Sequence, residues 1–333
     1  MPDSDERINV FPPVTKAEWL TKVEADLKGA SPERLRTIGP GGLVVEPLYT
    51  GEDPPGASPA GMPGMLPLIR GAAPLGGWII RQEYDDPRLS VCKKQIEQDV
   101  ECGVEGLWIQ LGPRAGCRVF TMSDLEELLS PVDLASTSVW LDGGSDGLAT
   151  AAGLLALATG RGVSHDALRG GFGLDPIGLL AGEGRIQGGL DARLGGLRDL
   201  ASWCVDKAPG MRAISVSGDP YDGGGASAAQ ELAYTVATGL EYLRQLTDAG
   251  LSVDQAAGQM AFRYAVSGDF FTQIAKLRAA RWLWAKVVTT AGGSADAAAM
   301  RIHCRTSRFT KTERDPWVNM LRVTAECTAS VLG

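Results

Sequence analysis

Histidine occurs at only two places in the chain, His165 and His303. A Ser-His-Asp relay, a histidine-rich metal site or an imidazole acid–base pair must be built from those two residues or not at all. The six cysteines, Cys92, Cys102, Cys117, Cys204, Cys304 and Cys327, are scattered, with no C-x-x-C pair and no metal-knuckle spacing. That usage fits buried free thiols in a reducing compartment. No G-x-G-x-x-G follows the first strand, and no Walker-type lysine loop occurs. Gly223-Gly224-Gly225 stands before a helix, where it serves either an anion at the helix start or a permissive turn. A single glycine run favours the turn.

The elements that must carry these residues follow from periodicity. From Pro87 onward, short apolar runs alternate with helical patterns. Strands are expected near 107–111, 138–141, 171–174, 213–217, 259–266 and 300–306, six in all. Helices are expected over about 89–103, from a capping box at Ser123-Asp124-Leu125-Glu126, and over 147–160, 190–207, 226–249, 270–290 and 314–332. In the 226–249 helix Leu232, Val236, Leu240, Leu243 and Leu246 share one face. Strands alternating with single helices are parallel and buried on both faces, which leaves a doubly wound sheet or a (β/α)8 barrel. The regular repeat favours the barrel.

Residues before Pro87 read differently. Thr15-Lys16-Ala17-Glu18 is a capping box, and Trp19, Val23 and Leu27 recur at helical spacing up to Gly29. A short strand-like Leu43-Val44-Val45 follows, then a stretch from Gly51 to Gly77 dense in proline and glycine. Met62, Met65, Leu66, Leu68 and Ile69 are too apolar for a free linker, so this stretch is expected to lie over the chain's own body or a partner. The organisation is thus an arm over 1–87 and a (β/α) barrel over 88–333.

Composition sets the outer bounds. The 333 residues carry a net charge of −8 with 22% charged residues, and the pI is near 5.0. An acidic chain is a poor holder of nucleic acid or an anionic membrane surface, because phosphate contact needs clustered Lys and Arg. No apolar run approaches a transmembrane length. The start, Met1-Pro2-Asp3-Ser4-Asp5-Glu6, is acidic where a secretion signal is basic and then apolar, so a cytoplasmic protein is expected.

Several longer segments carry a family likeness. They are Phe11-Pro12-Pro13-Val14-Thr15, Val45-Glu46-Pro47-Leu48-Tyr49, Trp78-Ile79-Ile80-Arg81-Gln82 and Glu231-Leu232-Ala233-Tyr234-Thr235. To these add Gly239-Leu240-Glu241-Tyr242, the run from Ile274 to Lys286, and Arg305-Thr306-Ser307 with Asp315-Pro316-Trp317. The chain resembles the methylmalonyl-CoA mutase family, and most of all its small (beta) subunit. The resemblance implies an eight-stranded (β/α)8 TIM-type barrel with an N-terminal arm. It also implies an adenosylcobalamin-dependent isomerisation of methylmalonyl-CoA and succinyl-CoA in the assembled enzyme.

The same resemblance shows where this chain departs. Catalytic chains carry Ser-Gly-Tyr-His after the fourth barrel strand, whereas this chain has Ser217-Gly218-Asp219-Pro220. Asp219 and Pro220 supply neither phenol nor imidazole, and a carboxylate there repels an anionic substrate. The Thr-Met-Tyr segment is missing between Arg70-Gly71 and Trp78, and no substrate-gripping Gln and Arg are recognisable from Gly170 to Gly189. The cobalamin motif D-x-H-x-x-G is absent too, since Val163 and Arg301 stand two residues before the histidines. Bulky Trp108, Trp140, Phe172, Phe262 and Tyr264 stand on strands whose inner positions catalytic chains keep small. Strand alternation turns half of these outward.

The expectation is a non-catalytic structural subunit with no catalytic, cofactor or metal residues of its own. It would pair through the arm with a large catalytic subunit that carries adenosylcobalamin, in a heterodimer that meets neither nucleic acid nor membrane. The other reading is an autonomous acyl-CoA mutase using Asp219 or Tyr221. Six strands cannot close with the geometry of eight. The barrel is therefore expected to be incomplete, lacking its last two strands, either as part of a longer polypeptide or as a short chain whose edges a partner covers.

Overall fold

The computed structural model describes residues 12–51, 53, 61–73, 77–112 and 116–333, which fall into two units that divide between Pro59 and Ala60. In the first unit, helix α1 (Lys16–Asp26) begins at the expected capping box, where Thr15 and Glu18 each bond the other's backbone N–H. Strand β1 (Thr37–Ile38) pairs antiparallel with β2 (Val44–Val45). No residue of α1 is buried, and Val14, Ile38, Leu43, Val44, Val45 and Tyr49 are exposed.

The second unit is built on a parallel sheet. Along the chain come β3 (Arg81–Tyr84), α2 (Leu89–Glu101), β4 (Gly106–Gln110), α3 (Met122–Leu128), β5 (Ser138–Asp142) and α4 (Gly147–Gly160). Then follow β6 (Gly170–Leu174), α5 (Pro176–Glu183), α6 (Leu190–Lys207), β7 (Met211–Ser217), α7 (Asp219–Gly223) and α8 (Ala228–Asp248). The run ends with α9 (Val253–Gly258), β8 (Met260–Val266), α10 (Phe270–Thr290), β9 (Ile302–Thr306) and α11 (Asn319–Leu332). The strands pair in sequence order from β3 to β9, every pair parallel. A doubly wound sheet reverses its strand order at a switch point, and this one does not, so it is a TIM-type barrel.

The barrel is incomplete, as expected, but it has seven strands rather than six. The strand that sequence reading missed is β3, inside the 1–87 segment assigned to the arm. Its alternation is reversed: Arg81 and Glu83 register with Gly106 and Trp108 on the lumen side, while Tyr84 packs outward in the core and donates to Asp99 at 3.0 Å. A strand that turns charge inward does not look like a barrel strand.

The outward faces of the strands pack on the helices as the main core. Phe262 meets Trp284 of α10 edge-on at 4.7 Å, and Tyr264 touches the Thr235 hydroxyl of α8 at 3.1 Å. A buried ion pair joins α8, α10 and β8: Lys276 Nζ donates to Glu231 at 2.7 Å, and Glu231 accepts the Ala265 N–H at 3.1 Å. Both partners lie in the helix segments that carried the family likeness. Those segments therefore report packing of the barrel wall, not chemistry.

Two details differ from expectation and a third agrees with it. Helix α3 is capped by Thr121 with Asp124, two residues earlier than Ser123, because Thr121-x-x-Asp124 forms the reciprocal box. On α8, Leu240 is exposed, and Glu231, Thr235 and Tyr242 take buried positions instead. The glycine run 223–225 ends α7 and makes the expected turn, and α8 is capped by its own Ser227 and Gln230. In the 51–77 stretch, residues 52, 54–60 and 74–76 lie outside the described residues. Of the remainder, Leu68 is buried in the barrel core, while Met62, Met65 and Leu66 are exposed.

Candidate functional site: the barrel lumen and its carboxyl-terminal mouth

Register decides which side chains fill the lumen. Trp108 registers with Trp140, Trp140 with Gly171, and Arg263 with His303. The first four of these, with His303, face inward. Trp108 stacks on Trp140 with ring centroids 5.2 Å apart and on His303 at 5.0 Å, giving a three-ring ladder from β5 across β4 to β9. Gly171 is what admits it: a Cβ there would stand 2.4 Å from the Trp140 ring. Arg81 lies over Trp140 and Arg263 over Trp108, at 5.2 and 4.8 Å. Of the five bulky strand residues, Trp108 and Trp140 plug the lumen. Phe172, Phe262 and Tyr264 belong to the outer core.

Above the aromatic layer sits a ring of charge. Arg263 pairs closely with Asp219 and lies 3.9 Å from Asp142. Arg305 donates to Glu83 at 2.6 Å and stands 3.5 Å from Asp219. Arg308, on the chain leaving β9, pairs with Asp85 and lies 3.5 Å from Glu83. The edges β3 and β9 share no backbone ladder, so these side chains span the opening of the sheet. Burial pushes the Glu83 and Asp142 carboxyls up, opposed by the Arg263 charge, and burial pulls Arg263 down.

The two histidines are accounted for. Burial first, then Arg81 and Arg263, lowers His303 to about 3, so its ring is neutral at physiological pH. Its Nδ1 is 3.4 Å from Arg81 Nη1 and its face is against Trp108. His165 Nε2 lies 3.1 Å from the Leu155 carbonyl and 3.0 Å from the Thr159 hydroxyl, packed edge-on to Trp203. Neither ring fits a cobalt ligand, and the described residues hold no group of three or more His, Cys, Asp or Glu arranged for a metal ion.

Asp219 and Pro220 open α7, directly beyond the β7 end. Asp219 is consumed by the ion pairs above, and Pro220 has no N–H to donate. Tyr221, the phenol of the second reading, packs on Tyr234 at 4.9 Å between centroids. Sequence reading named Trp108 and Trp140 among five bulky strand residues without fixing which face inward, and it missed the arginines. Arg263 and Arg305 each stand two residues from another inward position, a signal that becomes visible only once strand faces are fixed.

Beside the plug, a cavity of about 650 Å³ opens at the mouth, lined by Gln110, Asp142, Ser145, Glu183, Arg185 and Gln187. It lies over the ends of β4 and β5, and it shares Asp142 with the ring of charge.

An unclosed TIM-type barrel whose axis is filled by stacked rings and internal ion pairs defines a barrel protein without an axial passage. The methylmalonyl-CoA mutase family profile matches residues 111–333. The chain belongs to the methylmalonyl-CoA mutase family. It is 42% identical over 335 residues to the methylmalonyl-CoA mutase small subunit of Streptomyces virginiae, covering 97% of this chain and 53% of that protein. It is 28% identical to the human mitochondrial methylmalonyl-CoA mutase, covering 95% of this chain and 45% of that one. The Escherichia coli methylmalonyl-CoA mutase is 29% identical, with 88% and 44% covered. The chain spans about half the length of the curated relatives it matches. No helix among the described residues is long and apolar enough to cross a membrane.

Proposed function

We propose that this chain is a structural, non-catalytic subunit of an adenosylcobalamin-dependent methylmalonyl-CoA mutase, with cofactor and chemistry carried by a large catalytic partner. The observation that carries the reading is the filled lumen. The Trp140–Trp108–His303 ladder occupies the axis, and Asp219, at the family's Tyr-His position, is spent on Arg263 and Arg305. An acyl-thioester arm has no axial path through that stack, and no phenol or imidazole waits at its end. The partner meets the N-terminal arm, whose Val14, Ile38, Leu43 and Tyr49 are exposed on a unit too small to bury them. The heterodimer works in the cytoplasm.

The test uses the complex. The chain is mixed with the catalytic chain and adenosylcobalamin, and conversion of methylmalonyl-CoA to succinyl-CoA is followed. With Asp219→Asn and Pro220→Ala in this chain, turnover per intact complex stays the same. A tenfold loss with the complex still assembled would place these residues in the chemistry and favour the autonomous mutase.

A further inference from the structure

The lumen holds N–H groups that its ion pairs leave over. The indole Nε1–H groups of Trp108 and Trp140 are buried and meet no acceptor among the described residues, and the same is true of Arg81 Nε. Trp108 and Trp140 are only 2% and 6% exposed, so bulk water does not serve them. These side chains form one cluster with His303. Trp108 stacks on Trp140 and on His303, Arg81 lies over Trp140 at 5.2 Å, and Arg81 Nη1 is 3.4 Å from His303 Nδ1. A guanidinium only donates, so that histidine nitrogen accepts and the neutral ring keeps its proton on Nε2. The cluster has thereby used its one side-chain acceptor and has donors to spare.

Charge is unbalanced in the same direction. Arg263, Arg305 and Arg308 each have a carboxylate partner, whereas Arg81 makes no ion pair among the described residues. Burial pulls its guanidinium down to about 10 with no carboxylate opposing the fall. Water suits the cluster poorly, because a molecule that accepts from these N–H groups brings two hydrogens that need acceptors of their own. The nearest carboxylates of the charge ring, Glu83 and Asp219, are already paired with Arg305 and Arg263. An anion only accepts. We propose that the lumen binds one small monovalent anion of the halide class, held by Trp108 Nε1, Trp140 Nε1 and Arg81 Nε.

Glycines set the room for it. Gly106 registers with Arg81 and shares the inward face of β4 with Trp108. A Cβ there would stand 3.1 Å from Arg81 Nε, so glycine leaves that nitrogen uncovered from the β4 side. On the β6 side there is no slack, since a Cβ on Gly171 would stand 2.4 Å from the Trp140 ring. That limits the ligand to a single small ion. Strand β3 is an edge and Arg81 is half-buried, so the ion enters beside Arg81, through the opening between β3 and β9. Once bound, it neutralises the lumen cation that lacks a carboxylate and completes the plug.

The experiment uses the full chain labelled with nitrogen-15 tryptophan and exchanged into sodium gluconate, whose anion is too large for the site. Sodium bromide is then titrated in at constant ionic strength. The eight tryptophans give eight indole resonances, of which Trp108→Phe and Trp140→Phe identify two. Bromide is expected to move these two saturably, with a shared midpoint, and to leave the others in place. Arg81→Gln, with its indole spectrum dispersed as in the wild type, should raise that midpoint by about tenfold or more. Two resonances that stay put, or that drift linearly with all the rest, would overturn the proposal. So would a midpoint that Arg81→Gln leaves unchanged. A wild-type crystal grown in bromide reads the same site by anomalous scattering, independently of any variant's folding. A peak is expected between Trp108, Trp140 and Arg81, and its absence there would equally overturn the assignment.

Discussion

Asp219 stands where the family's catalytic chains keep a phenol, and its neighbours explain why it is an acid. Arg263 is buried with only 5% of its side chain exposed, and Asp219 is in direct contact with it. Removing one partner of a buried pair leaves the other charge unpaired, which costs about 3–5 kcal/mol. Asp219→Ala is therefore expected to lower the urea midpoint by an amount worth a few kcal/mol, while Asp222→Ala, one turn on and bonded only to the Ser307 hydroxyl, costs far less. Equal losses from the two would remove Asp219 from its place in the lumen. The aromatic residues divide just as sharply. Trp108 and Trp140 were recognisable as bulky from sequence, but only register separates them from Phe172, Phe262 and Tyr264, which serve the wall.

At the scale of elements, one carboxylate ties four pieces of the barrel mouth. Asp175, at the end of β6, accepts the Gly178 N–H of α5 at 2.9 Å, the Ser217 N–H of β7 at 2.8 Å and the Tyr242 hydroxyl of α8 at 2.6 Å. Burial nevertheless raises it to about 6, the hydrogen bonds only partly opposing this. An unfolded aspartate titrates near 3.9, so the folded state binds this proton more tightly. That stabilising contribution is complete below about pH 4 and is lost as pH rises through about 6. Measured against Asp175→Asn, the wild-type chain should lose stability between about pH 4 and 6, by roughly 1–3 kcal/mol. A difference that stays flat across this window would contradict the assignment. Much of this scale was legible: α4, α6 and α10 run over the expected residues, because glycine stops and helical periodicity bracket them. Strand β3 was not, since Arg81 and Glu83 face a polar lumen and reverse the usual apolar-inward pattern. The short helices α5 and α7 were equally hidden, although Asp175-Pro176 and Asp219-Pro220 open them with proline at the first turn.

The whole molecule is two units with different needs. The barrel unit buries its own core, whereas α1 buries nothing, and an 11-residue helix without tertiary packing is marginal in water. Leu68 belongs to the barrel core, so the arm ends for this purpose before residue 60. Deleting residues 1–59 should leave a folded barrel that no longer co-purifies with the catalytic chain; undiminished co-purification would move the interface elsewhere. The filled lumen remains the central claim, and ligand binding reads it without any partner. Methylmalonyl-CoA is titrated calorimetrically into the purified chain to millimolar concentration. No saturable heat is expected, because the Trp140–Trp108–His303 ladder and the Asp219–Arg263 pair occupy the axis. Saturable binding of one equivalent, displaced by succinyl-CoA, would contradict the account.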